Sequence, residues 1–281
     1  MATANVNGVE LYYEVTGAGP RLVLTHGSWT DGSGWAPSVQ RLAERFEVVT
    51  WDRRGHSRSQ DGDGAGSRAG DAADLAGLIE HLGGGVVHVV GNSYGAIVTL
   101  TFMINRPDLV ASAAIHEPPL FSLLEGSPDR GITDALVAVQ RPFELVGALI
   151  EAGEHRAAAE HFIDNVALGP GSWAQLPESF RDVLERNAGT YLDELRDPTA
   201  LSIDTAGLAA TGAPLLLTYG TASPSLFPAV IAELAVLVPA ARIGALDGAG
   251  HIPHATHPDQ WTSTLLAFFD ELSHVAGKAA R

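Results

Sequence analysis

The sequence predicts an α/β protein: a mostly parallel sheet with helices on both faces and a helical insertion ahead of its last strands. Three observations carry this expectation. Short apolar runs alternate with segments whose apolar residues recur at helical spacing. The alternation stops between about residues 118 and 205, where helical patterns continue without a convincing strand. Finally, Gly91-Asn92-Ser93-Tyr94-Gly95 lies between a strand-like run and an apolar helical run. Such a turn lifts a serine hydroxyl clear of the sheet, and its flanking glycines leave room for a tight strand-to-helix reversal.

In chain order, Val9–Thr16 and Arg21–Thr25 read as strands separated by the turn Gly17-Ala18-Gly19-Pro20. Glu47–Trp51 and residues 86–90, 111–116, 214–219 and 241–246 are short apolar runs that suit buried parallel strands. Leu75, Leu78, Ile79 and Leu82 share a helix face, as do Trp261, Leu265, Phe268 and Leu272. Residues 61–70, rich in Gly, Asp and Ser, read as an exposed loop. The interrupting segment predicts helices at about 132–152, 155–167 and 178–195. It holds 15 Asp/Glu against 6 Arg, so over half of the chain's excess negative charge lies there. An all-helical insertion between two strands reads as a cap over the sheet's carboxyl edge, where ligands of open α/β sheets bind. The expected division is therefore a core of residues 1–117 and 206–281 with a cap of residues 118–205.

Composition narrows the function. A chain of 281 residues, 46% hydrophobic and 18% charged, can bury a large core. No apolar stretch is long enough to span a membrane. The start, Met1-Ala2-Thr3-Ala4-Asn5, has neither a basic segment nor an apolar signal core, so a cytoplasmic location is expected. The absence of cysteine excludes disulfides, a thiol nucleophile and thiolate metal sites. A net charge of −16 argues against nucleic acid and anionic membranes as partners.

Ser93 needs a base to take its proton, and histidine suits that task near neutral pH. Of 11 histidines, His251 is the candidate. It ends Gly248-Ala249-Gly250-His251, directly after the last strand, on a loop that returns to the strand ends. His254 and His257 extend a His-x-x-His-x-x-His pattern, but no acidic ligand accompanies it and Pro253 and Pro258 spoil a single helical face. No metal is expected, and His254 is assigned to the pocket wall or the underside of the cap. An oxyanion needs two donors. The N–H of Tyr94 supplies one. The loop His26-Gly27-Ser28-Trp29 supplies the other, from Ser28 or else Gly27.

Together these features resemble the α/β-hydrolase superfamily. Asp52-Arg53-Arg54-Gly55-His56-Ser57-Arg58-Ser59 is similar to that family's Asp-x-x-Gly-x-Ser/Gly-x-Ser segment. The resemblance covers nearly the whole chain. It implies about eight strands, a nucleophile after the fifth and a cap after the sixth. The family's commonest acid position, after the seventh strand, holds Ser223 in Gly220-Thr221-Ala222-Ser223-Pro224. A carboxylate stands instead after the sixth strand, in His116-Glu117-Pro118-Pro119. Some α/β hydrolases keep their acid there, including zearalenone-type lactonases, which this segment resembles. Glu117 is therefore the expected acid, and Asp247 the alternative that its strand-end position disfavours.

The expected activity is cofactor-independent hydrolysis of a small-molecule carboxylic ester or lactone by Ser93, His251 and Glu117. A serine nucleophile argues against dehalogenase or epoxide hydrolase chemistry, which proceeds through a carboxylate ester. Two other readings are a ligand-binding protein on the same scaffold and non-hydrolytic chemistry, such as cofactor-free oxygenation or cyclisation. Phe121, Phe143, Trp173, Trp29 and Phe227 are candidate apolar pocket walls, with ordinary core packing the competing role for each. The acidic cap disfavours anionic substrates, to the extent that salt does not screen it.

Overall fold

The computed structural model describes residues 2–64 and 66–279. Eight strands form one sheet: β1 (Ala2–Val6), β2 (Val9–Thr16), β3 (Arg21–Thr25), β4 (Glu47–Trp51), β5 (Val87–Asn92), β6 (Val110–His116), β7 (Leu215–Gly220) and β8 (Arg242–Leu246). They lie in the order β1-β2-β4-β3-β5-β6-β7-β8. β2 runs antiparallel to both β1 and β4, and the remaining neighbours are parallel. β3 sits between β4 and β5, so the chain winds away from it in both directions. That reversal opens a crevice at the strands' carboxyl ends. Leu22, Val23 and Leu24 of β3 are fully buried, which is why a central strand reads as a continuous apolar run.

β1 was not expected from the sequence. Its signal is Asn7-Gly8, both at positive φ (47° and 83°), a two-residue hairpin turn that pairs β1 with β2.

Helices α1 (Ala36–Leu42) and α12 (Pro258–Ala279) pack on one face of the sheet; α2 (Arg68–His81), α3 (Tyr94–Asn105) and α10 (Leu226–Leu237) pack on the other. α3 is buried from Tyr94 to Met103, so it shows no polar stripe. Ser67 caps α2 by accepting from Gly70 N–H, which ends the expected 61–70 loop at Ser67; Ala65, within that loop, lies outside the described residues. Between β6 and β7 come α4 (Arg130–Glu151), α5 (His155–Phe162), α6 (Ser172–Gln175), α7 (Glu178–Arg186), α8 (Tyr191–Arg196) and α9 (Thr205–Ala210). A short α11 (Pro253–Thr256) precedes α12.

The insertion has an apolar cluster of its own, with Val146, Ile150, Ala158 and Leu184 gathered around Trp29 from the loop after β3. The single helix expected over 178–195 is two, broken at Asn187. The cause is tertiary. Asn187 Nδ2 donates to the carbonyls of Trp29 and Thr30, both at 3.1 Å, and its Oδ1 accepts from Ser57 N–H at 2.8 Å. Those bonds pin the break to two core loops and turn α8 toward the sheet's edge. Similarly, the helix expected over 155–167 ends at Phe162 and passes into a wider turn, Ile163–Ala167. α9 packs against α3 and α10, so the chain has rejoined the core by Thr205.

Candidate active site

Ser93 follows the last residue of β5, with φ 57° and ψ −127°. A side chain seldom adopts this conformation, and such strain persists only where the surroundings fix it. Here the fixing is close contact. A Cβ on Gly95 would stand 2.2 Å from the carbonyl oxygen of His26, and one on Gly27 would stand 2.9 Å from Ser93 Cβ. Ser93 N–H donates to the His116 carbonyl at 2.9 Å, which ties the turn to β6. Tyr94 opens α3, so its N–H has no acceptor within the helix. Ser28 N–H donates to no protein acceptor among the described residues.

His251 lies on the loop after β8, buried, with its carbonyl held by Asn92 Nδ2 at 2.9 Å. The Phe227 ring stacks on the imidazole at 4.1 Å and 24°. His251 Nδ1 donates to Glu117 Oε2 at 2.7 Å, and Gly220 N–H donates to Glu117 Oε1 at 2.8 Å. Glu117 is fully buried and, like Ser93, sits at positive φ (47°). Burial alone would push its carboxyl up. The His251 hydrogen bond and the nearby His116 and His251 imidazoles outweigh that and hold it below its ordinary value. With Nδ1 committed to Glu117, Nε2 is the ring nitrogen left for Ser93. No hydrogen bond joins Ser93 Oγ to His251 in this arrangement, among the described residues; such bonds commonly tighten only around a substrate.

Neither Asp247 nor Ser223 hydrogen-bonds His251 among the described residues. Asp247 is exposed and lies 3.5 Å from Thr221 Oγ1. The Ser223 hydroxyl oxygen is buried and makes no hydrogen bond among the described residues.

Ser93 and His251 border a cavity of about 230 Å³. Phe121, Phe143 and Phe227, three of the candidate walls, line it. Of the other expected walls, two line a smaller space that Ser93, His251, Gly27 and Ser28 also border, and one lies away from the site. Trp29 is buried between Phe162 and Tyr191, with ring centroids at 5.1 and 5.0 Å, and borders a second cavity of about 40 Å³. His254 borders that second cavity as well and packs on Trp35 at 4.2 Å; burial lowers its pKa to about 3. Trp173 touches neither cavity. It is buried inside the insertion's own cluster, with the Arg156 and Arg181 guanidinium groups over its ring.

A polar network under the insertion was not visible in the sequence. Arg53 is fully buried and donates to Asp71 Oδ2 and Glu194 Oε1, both at 2.7 Å, and to the Gly27 carbonyl at 3.2 Å. Its guanidinium also lies 4.7 Å from the Tyr94 ring centroid. Glu194 Oε2 accepts from Ser28 Oγ at 2.5 Å. Arg53 therefore touches both loops that carry the candidate oxyanion donors. Burial disfavours its charge, but Asp71 and Glu194 more than restore it, and its pKa lies above the ordinary value. One cation between two carboxylates leaves an excess negative charge, and burial raises the pKa of both Asp71 and Glu194. His26 supports the network as a neutral ring, its pKa lowered to about 3 by burial and by Arg53. Its Nε2 accepts from Arg53 N–H at 2.9 Å. Nothing local marks Arg53 as buried, and its partner Glu194 lies 141 residues away.

The chain is similar to several known proteins. An uncharacterized hydrolase of Bacillus subtilis is 35% identical over 130 residues, which cover 44% of this chain and 47% of that protein. A pimeloyl-[acyl-carrier protein] methyl ester esterase of Xanthomonas campestris is 27% identical over 267 residues, 92% of this chain and 98% of that one. Among solved structures, the enol-lactonase of Burkholderia xenovorans superposes with a TM-score of 0.78 at 23% identity, covering 96% of this chain and 100% of that one. Residues 22–264 match the alpha/beta hydrolase family, and the chain belongs to that family.

Proposed function

We propose that the protein is a serine hydrolase of carboxylic esters or lactones that requires no cofactor, with residues 118–205 acting as a cap. The observation that carries this reading is the 2.7 Å bond between His251 and Glu117 beside a strained elbow serine. The methyl ester esterase among its relatives supports an ester as substrate.

Ser93 Oγ attacks the carbonyl carbon while His251 Nε2 takes the hydroxyl proton. The resulting oxyanion is held by the N–H groups of Tyr94 and Ser28, or Gly27. Collapse breaks the carbonyl–alkoxy bond, and the imidazolium returns its proton to the departing oxygen. Water, deprotonated by His251, then attacks the acyl-serine and releases the acid. Glu117 keeps the imidazole in the Nδ1–H tautomer and balances its charge in both steps.

The test is covalent labelling with a fluorophosphonate. The wild-type protein should be labelled and Ser93→Ala should not, with unchanged circular dichroism. Undiminished labelling of Ser93→Ala would rule the assignment out.

A further inference from the structure

The cavity beside Ser93 is apolar over most of its wall, with Phe121, Phe143, Phe162, Phe227, Leu195 and Leu201 contributing. Its charged lining is of one sign. Glu194 and Asp197 border it, and among the described residues no lysine or arginine does. Of the two, Glu194 is closer to the chemistry. Its Oε2 is bonded to the hydroxyl of Ser28, whose N–H is a candidate oxyanion donor. Ser28, Ser93 and Glu194 line the same cavity, so a carbonyl held at the Ser28 N–H has the Glu194 side chain on the same wall. Arg53 pairs with both Glu194 and Asp71, so one cation offsets two carboxylates and a net negative charge remains between them. Each oxygen of Glu194 accepts one protein hydrogen bond, from Arg53 or from Ser28. A carboxylate oxygen can accept more than one, so each retains capacity for a substrate donor.

We propose that Glu194 determines specificity, selecting esters whose acyl chain carries a hydrogen-bond donor near the carbonyl and excluding those with an anionic group there. The inference rests on the ester-hydrolase reading and sharpens it. The selected class is a short β-hydroxy ester or a lactone with a comparable donor. The excluded class is a monoester of a short dicarboxylic acid. The apolar remainder of the wall takes the rest of the chain. A buried carboxylate discriminates more strongly than surface charge because water screens it little.

The experiment compares kcat/KM for ethyl butyrate, ethyl 3-hydroxybutyrate and monoethyl succinate, in the wild-type protein and in Glu194→Gln. The wild type should prefer the hydroxy ester to ethyl butyrate and should disfavour the anionic ester by at least about tenfold, as expected for a like charge facing a poorly screened carboxylate. Glu194→Gln should shrink that anionic penalty severalfold. A role for Glu194 in docking the insertion would lower all three rates together and leave the ratios unmoved, and that result overturns the proposal. Should Glu194→Gln not fold, the wild-type ratios still decide: equal kcat/KM for ethyl butyrate and monoethyl succinate also overturns it. Failure of the hydrolase reading looks different, with no labelling of Ser93 and no turnover of any ester. Calorimetric binding of the same three esters to Ser93→Ala then reads the preference without turnover, and equal affinities overturn the proposal.

Discussion

Glu117 carries the sharpest residue-level test. It is buried at a positive φ, with one oxygen on His251 and the other on Gly220 N–H. Glu117→Gln keeps its shape and removes the charge that balances an imidazolium. We expect kcat to fall by about 10²–10⁴ with the fold retained, by the precedent of triad carboxylates. Near-full activity in Glu117→Gln together with an inactive Asp247→Asn would move the acid to Asp247. The same carboxyl contributes to acid stability. Its folded pKa is lowered, so the contribution is complete above the ordinary carboxyl pKa and is lost as pH falls through the lowered value. Urea midpoints of Glu117→Gln should therefore decline less on acidification than those of the wild type. These residues were legible in the sequence because each stands at a strand's carboxyl end, and the fold brings all such ends to one edge.

Elements were legible where one face or both is buried by the sheet itself. The central strands and α3 declare themselves as apolar runs. The insertion was read less well, because its geometry depends on distant partners. Gly189 is a local weak point in 178–195, but the place and direction of the break are fixed by Asn187 reaching Trp29, Thr30 and Ser57. For the same reason an aromatic in the insertion did not identify itself as wall or core. Phe143 and Trp173 now separate by position. Trp173 lies within the insertion's cluster, and Trp173→Ala should lower the unfolding free energy by about 3 kcal/mol, within the range for truncating a buried aromatic. It should leave the ratio of activities on large and small esters unchanged. Phe143 borders the cavity, and Phe143→Ala should shift that ratio with a smaller loss of stability. Urea denaturation beside a chain-length series of aryl esters checks both; a large change of ratio in Trp173→Ala would put its ring back at the substrate.

At the scale of the whole molecule, the insertion and the sheet are joined by a buried charge network. Glu194 enters from α8, Asp71 from α2, and Arg53 from the loop after β4 holds both. Sequence reading could not find this junction, since each member alone is an ordinary charged residue. Its energetics follow from burial. Removing one partner of a buried ion pair typically costs about 3–5 kcal/mol, because the remaining charge keeps its desolvation penalty and loses its counterion. Arg53→Met leaves two carboxyls without their cation. Both are already raised by burial against the pull of Arg53, so without it their folded pKa values must rise further. The sign is then fixed. Carboxyls raised in the folded state favour folding below their ordinary pKa, where both states are protonated, and lose that advantage as pH climbs through the raised values. Arg53→Met should therefore be close to wild-type stability in mild acid and markedly destabilised at neutral pH. Wild type and variant compared by urea denaturation at pH 5 and pH 7 would show the gap widening with pH. A pH-independent gap would mean that Arg53 acts through packing alone. Because Arg53 also contacts the Gly27 carbonyl and the Tyr94 ring, fluorophosphonate labelling of the folded variant should slow too, which would link the junction that seats the insertion to the candidate oxyanion donors beside Ser93.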